Sequence, residues 1–276
     1  MRPPLAAFSS AFTPGSKAAT DMCRIAAYTG PEIPLENIIV RPAHSLLAQS
    51  QHANEAKLTV NGDGFGISWY GADKAPGLYR DVLPAWADEN LTNLCRMVHS
   101  RLFIAHIRAS TVGETSRANC HPFKFGKWSF CHNGQIPHFK AIRRRMLAAL
   151  PDQLFEAMQG TTDSEMIFFT LLANGLEADP AAAMRATLAQ IGPAGDNGPI
   201  KITCVFSDGE TLFAFRHATT GNAPSLYASG VLDNGGRSLA SEPLCGTAAR
   251  WSAIPTDTMC AMTVAGVKTL DGLVAA

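Results

Sequence analysis

Between Arg24 and Val264 the chain reads as a block of strands, a block of helices and a second block of strands, and that order narrows the possible folds. Apolar runs at Arg24–Gly30, Phe65–Tyr70, Leu102–Arg108 and Trp128–Gly134 have the length and residue types of strands. Short helices are expected at Leu46–Ser50 and Asn90–His99, with a loop over Pro31–Asn37 and a tight turn at Asn61-Gly62-Asp63-Gly64. Helical spacing then runs through Lys140–Leu150, Asp163–Leu176 and Pro180–Ile191. Beyond Lys201 the texture returns to strands. Ile202–Phe206 and Thr211–Phe215 flank Ser207-Asp208-Gly209-Glu210, a hairpin signal, and short strands follow at Ser225–Ala228, Arg237–Ala240 and Met259–Val264. Segregated blocks of this kind suit an α+β layered fold rather than alternating βαβ units. No linker, internal repeat or low-complexity stretch interrupts the chain after residue 23, so residues 23–276 are expected to form a single domain.

Charge and cysteine usage exclude several functions. Lys and Arg together number 23, as do Asp and Glu, so no net field draws the chain to nucleic acid or to an anionic membrane. The basic run Lys140–Arg145 opens a helical pattern and reads as a solvated helix face. No apolar run reaches the roughly 18 residues needed to span a bilayer. Seven cysteines, at 23, 95, 120, 131, 204, 245 and 260, are odd in number and contain no CxxC pair. That argues against a disulfide framework and for a reducing compartment, so the expected location is cytoplasmic.

Residues 1–22 differ in texture, being rich in Pro, Gly, Ser and Ala. Leu5–Phe8 is too short for the roughly 7–15-residue apolar centre of a secretory signal. The segment reads as an extension outside the fold: a propeptide, a disordered extension, or the product of a start codon placed upstream of Met22. Only 9 of 276 residues are Met, which makes Met22 directly before Cys23 notable. If translation starts at Met22 and that Met is removed, Cys23 carries both a thiol and a free α-amine. The thiolate is the nucleophile, with an ordinary pKa near ~8.5, and an amine titrating near ~8 can act as its base. The plain alternative for Cys23 is a small buried residue.

Three further positions carry chemistry. Asn133-Gly134, where a strand runs into a turn, sets a side-chain amide beside an unhindered backbone N–H, a pair able to hold the oxyanion of a tetrahedral intermediate; the same dipeptide is also an ordinary hairpin turn. Arg108 closes an apolar strand and offers a planar fork to a carboxylate, or a structural ion pair. Asp163 lies where a helix should start, as an N-cap or as a partner for a substrate ammonium. Cys120-His121 and Cys131-His132 match no common zinc spacing, and no metal or cofactor is expected.

Taken together, Met22-Cys23-Arg24, Ala105-His106-Ile107-Arg108-Ala109-Ser110-Thr111, Asn119-Cys120-His121-Pro122-Phe123, Phe130-Cys131-His132-Asn133-Gly134 and Thr162-Asp163-Ser164-Glu165 resemble, in order, the motifs of class II glutamine amidotransferases. Ser241-Glu242-Pro243-Leu244 followed by Trp251 is similar to the C-terminal part of the stand-alone bacterial members, which include the YafJ-type amidotransferases and the EgtC-type γ-glutamyl amidohydrolases of ergothioneine synthesis. The resemblance implies an Ntn-hydrolase fold, a four-layer αββα sandwich. It implies Cys23 as nucleophile with its own amine as base, Asn133 and the Gly134 N–H as oxyanion hole, Arg108 on the substrate α-carboxylate and Asp163 on its α-ammonium. His106, Thr111 and His121 match motif positions that support the substrate site. His132 either orients Asn133 or is a plain buried histidine.

The implied reaction is hydrolysis of the γ-amide of glutamine to glutamate and ammonia through a γ-glutamyl thioester. Its partners would be glutamine or another γ-glutamyl amide, with any ammonia-accepting synthase on a separate protein. Two alternatives stand beside it: an EgtC-like hydrolase of a larger γ-glutamyl amide, and a catalytically silent protein that binds glutamine or a γ-glutamyl metabolite.

Overall fold

A computed structural model describes residues 23–55, 60–109, 114–193, 198–244 and 251–270. The 1–22 extension and Thr111 lie outside the described residues. In chain order the elements are β1 (Arg24–Pro34), α1 (Glu36–Ile39), α2 (Leu46–Gln51), β2 (Phe65–Trp69), β3 (Gly77–Asp81), α3 (Glu89–Met97), β4 (His99–Ile107), β5 (Phe123–Phe125) and β6 (Trp128–Gln135). The helices α4 (Phe139–Ala148), α5 (Asp152–Ala157), α6 (Asp163–Ala173) and α7 (Pro180–Ile191) follow. Then come β7 (Lys201–Ser207), β8 (Leu212–Ala218), β9 (Tyr227–Ser229), β10 (Arg237–Ala240), β11 (Trp251–Ala253), β12 (Thr258–Thr263) and β13 (Gly266–Leu270).

The strands form two antiparallel sheets, ordered β11-β9-β10-β1-β4-β2-β3 and β13-β12-β8-β7-β6-β5. Successive side chains of a strand point to opposite faces, and this alternation sorts the core into layers. In β1, Ile25 and Ala27 face the second sheet with Ile104, Val205 and Ala214, whereas Ala26 and Tyr28 face α1–α3 with Phe103 and Leu91. The outer face of the second sheet packs Phe130 and Phe206 against α4–α7. There Phe130 stacks on Phe168 of α6 with ring centroids 5.4 Å apart. Each such ring contributes roughly 1.5–3 kcal/mol by burial. The result is helices, sheet, sheet, helices: the expected αββα sandwich.

The helical block matches its sequence cues. For α7 the predicted and observed bounds coincide, because Asp179 caps the N–H groups of Ala181 and Ala182, Pro180 sits at the first helical position, and Gly192 ends it at φ +80°. Three expectations need correction. Pro31–Asn37 is not a loop: β1 continues to Pro34 and α1 begins at Glu36. His99 does not end α3 but opens β4. Asn133-Gly134 is not a turn, since both residues are paired within β6, opposite Thr203 and Ile202 of β7. Among the described residues no helix is long and apolar enough to cross a membrane.

Candidate active site

Cys23 immediately precedes β1, the strand held between β10 and β4 at the centre of its sheet. Arg24 pairs with Ile107, which brings Cys23 level with the end of β4. Its thiol donates to Ala109 O at 3.4 Å, and the Ala109 N–H lies 3.5 Å from Sγ. Of the six free cysteines among the described residues, Cys23 is the one that is not buried. Burial of the sulfur still pushes its thiol up to about 11, against the pull of the Ala109 N–H and of the Arg108 and Arg24 charges. At neutral pH the thiol is therefore protonated, so it could serve as a nucleophile only where a base takes its proton.

On the facing sheet, alternation along β6 turns Asn133 inward with Cys131, toward the layer that Ile25 and Ala27 also face. Asn133 is buried, and its amide donates to Cys23 O over 2.8 Å. That bond takes one of the two amide hydrogens and leaves the second for a ligand. Gly134 has φ +150°, and a Cβ there would lie 2.0 Å from Lys201 O and 2.8 Å from His132 Nε2. Only glycine fits this position.

Arg108 follows β4 and is buried, its backbone locked by two bonds to the Asn61–Gly64 turn: its N–H donates to Gly64 O at 2.8 Å, and its carbonyl accepts from the Asp63 N–H at 3.1 Å. Asp163 is the first residue of α6 and not its cap. Thr162 caps the helix by accepting from the Glu165 N–H at 3.2 Å, while the Glu165 carboxylate reaches back to the N–H groups of Gln159 and Gly160. This frees Asp163 from capping. One of its oxygens accepts from the Ile136 N–H at 2.9 Å, and the other receives the Ser164 hydroxyl at 3.4 Å.

The three histidines sit behind these groups. His106 Nε2–H donates to His132 O at 3.2 Å, and His132 Nδ1 lies 2.8 Å from Ser164 Oγ. His121 packs edge-on against His106 at 4.1 Å and against Phe123 at 4.7 Å. Burial pulls His106 down to about 3, and it pulls His121 and His132 down as well, His121 further by its histidine neighbours. All three are neutral; His106 and His132 link β4, β6 and α6, and His121 packs between β4 and β5. Among the described residues no group of three or more His, Cys, Asp and Glu is placed to hold a metal.

Two groups escaped the sequence reading. Ser241 pairs with Ile25 twice: its hydroxyl accepts from the Ile25 N–H at 2.9 Å, and its own N–H donates to Ile25 O at 2.9 Å. Arg24 forms a fully buried ion pair with Glu242 at 3.4 Å. In sequence the two charges are over two hundred residues apart, and the only signal was that Ser241-Glu242-Pro243 belonged to a motif without an assigned role.

The sequence profile of class-II glutamine amidotransferases matches residues 37–224. A Saccharomyces cerevisiae protein described as "Probable glutamine amidotransferase DUG3" is 32% identical, the match covering 86% of this chain and 81% of that one. The gamma-glutamyl-hercynylcysteine sulfoxide hydrolase of Mycobacterium tuberculosis is 27% identical over 89% of this chain and 95% of its own. Among solved structures, a glutamine aminotransferase class-II domain protein from Silicibacter pomeroyi superposes with a TM-score of 0.70 at 32% identity, covering 90% of this chain and 99% of that one. The two sheets are thus those of an Ntn-hydrolase sandwich, and the chain belongs to the class-II glutamine amidotransferase family.

Proposed function

We propose that this chain hydrolyses the γ-amide of glutamine, with Cys23 as the nucleophile. The observation that carries the reading is the meeting of Cys23 and Asn133 across the two sheets, with the amide 2.8 Å from Cys23 O. Once the peptide bond to Met22 is gone, the Cys23 α-amine takes the thiol proton, directly or through a water. Sγ attacks the γ-carbonyl carbon, and the oxyanion receives the second Asn133 N–H and the Gly134 N–H. Two such donors are worth about 3–4 kcal/mol each in the transition state. The intermediate collapses, the amine-held proton passes to the leaving nitrogen, and ammonia departs. Water then attacks the γ-glutamyl thioester, releasing glutamate and the thiol. Arg108 binds the substrate α-carboxylate and Asp163 its ammonium, with His106, His121 and Thr111 supporting the site.

Residues 1–22 would have to be absent or removed for the amine to serve. The free cysteines fit a reducing location, the cytoplasm. Ammonia acceptance, where it occurs, would fall to a separate synthase. Near-complete coverage of the mycobacterial γ-glutamyl hydrolase favours a second reading, in which the amide nitrogen carries a larger group.

The test is ammonia release from glutamine by a chain beginning at Met22, with loss of Met22 verified by mass, beside Cys23→Ala. Release that depends on Cys23 is expected. Release only from bulkier γ-glutamyl amides selects the second reading. Binding of glutamine without turnover of any amide defeats both and leaves a silent binding protein.

A further inference from the structure

The buried ion pair beside Cys23 has no part in the chemistry above. Arg24 is wholly buried and, by alternation, faces away from the inter-sheet layer that Cys23 faces. Its Nη1 donates to Cys23 O at 3.3 Å, and its Nη2 lies 3.4 Å from Glu242 Oε1. Glu242 is itself almost fully buried. Burial alone would push its carboxyl up, yet it is held below the usual range by the N–H groups of Glu55 and Asn54, by His44 and by the Arg24 charge. The Glu55 N–H is at 2.8 Å, that of Asn54 at 3.0 Å, and His44 Nε2 at 2.6 Å. A carboxylate fixed by this many donors is a rigid post, and it holds one end of the Arg24 fork while the other end grips the Cys23 carbonyl.

That carbonyl is also the acceptor that orients the Asn133 amide. One peptide plane therefore anchors the backbone that carries the thiol, which Ala109 contacts, and sets the direction of the free Asn133 hydrogen. We propose that Arg24, held by Glu242, is a positioning residue that aligns nucleophile and oxyanion donor together through Cys23 O. The inference rests on Cys23 and Asn133 acting as proposed above. It also gives the Ser241-Glu242 segment a role, although that segment lies beyond the matched residues 37–224.

Glu242→Gln alone strands the Arg24 charge in the interior and can cost the fold. The more informative variant is Arg24→Met with Glu242→Gln, which removes both charges together. With glutamine as the probe, kcat is expected to fall about 10- to 100-fold with KM little changed, the loss expected when a site slips by about 1 Å. The same double substitution placed on Asn133→Ala should cost less than on the wild type, because the part of its effect that runs through that amide is already gone. Circular dichroism and thermal unfolding establish that the variant is folded. An unchanged kcat, an equal loss on both backgrounds, or failure of both variants to fold overturns the inference. Turnover that survives Cys23→Ala, or its absence with glutamine and with bulkier γ-glutamyl amides alike from the wild-type chain beginning at Cys23, defeats the functional reading and this inference with it.

Discussion

Asn119 Oδ1 accepts the Thr161 N–H over 2.9 Å, and its own amide donates to Glu114 O over 3.0 Å. A single buried side chain thus ties the segment after Arg108 to the turn that leads into Asp163. The two groups proposed to grip the ends of the substrate amino acid are spaced by it. Gly160 accommodates the arrangement, since a Cβ there would meet Asn119 Oδ1 at 2.6 Å. Asn119→Ala should raise KM for glutamine roughly tenfold, the worth of one or two hydrogen bonds at ~1 kcal/mol each. Steady-state kinetics would show this; a loss confined to kcat would count against the spacing role.

Asn133→Ala removes the amide proposed above to receive the developing negative charge. A fall in kcat of about 10²–10³ is expected, with KM nearly constant. A change seen only in KM would reassign Asn133 to substrate binding.

Gly134→Ala drives a methyl into the β7 backbone at Lys201 O, at a φ of +150°. Overpacking of this kind costs about 1–3 kcal/mol, and a domain of this size loses roughly 2–4 °C in Tm for each kcal/mol. Differential scanning calorimetry should record the drop. A Tm equal to the wild type would mean that β6 and β7 part more easily than their register implies.

The buried histidines set a pH dependence of stability. His106 titrates near 6.5 when unfolded and at about 3 when folded. Between these values the unfolded chain holds the extra proton, so stability falls as pH drops below about 6.5, by roughly 2 kcal/mol for His106 alone at pH 5. His121 and His132 shift in the same direction. Glu242, shifted down, adds to the loss at more acid pH, while Glu165, shifted up by its burial, opposes it. Urea denaturation midpoints should therefore decline from pH 7 to pH 5, and less steeply in His106→Gln. A midpoint independent of pH in this window would contradict the neutral state of these rings.

A chain that keeps residue 22 joined to Cys23 has no free amine there, and the thiol stays protonated at neutral pH. Such a chain should release no ammonia until it is trimmed, as mass spectrometry and activity on the same sample would show.

The layered order was readable because buried strands such as β1 and β7 are continuous apolar runs, and because α7 carries its cap, proline and terminal glycine in sequence. The short strands β3, β5, β11 and β13 were not, since three to five residues beside a sheet edge bury too little to leave a pattern. Thr162 as the cap of α6 was available from the three-residue step to Glu165, a capping-box spacing that the proximity of Asp163 obscured. Asn133-Gly134 carries the commonest hairpin signal, yet pairing with β7 overrides it, and the glycine is required by a close backbone contact instead of a turn. The Arg24–Glu242 pair could not be read at all: each is an ordinary charged residue until the sheet brings β10 beside β1.

β1 lies between two antiparallel neighbours, and Ala26 is paired on both sides, with Ala240 and with Ala105. Backbone groups bonded this deep in a sheet open to solvent only when the whole domain unfolds. Amide hydrogen exchange along Ala26–Tyr28 should then be as slow as global unfolding allows. Cys23 adjoins the end of that strand, directly before Arg24 in its pairing with Ile107, so its backbone is held from that side, and the wall expected to yield to an incoming substrate is another one.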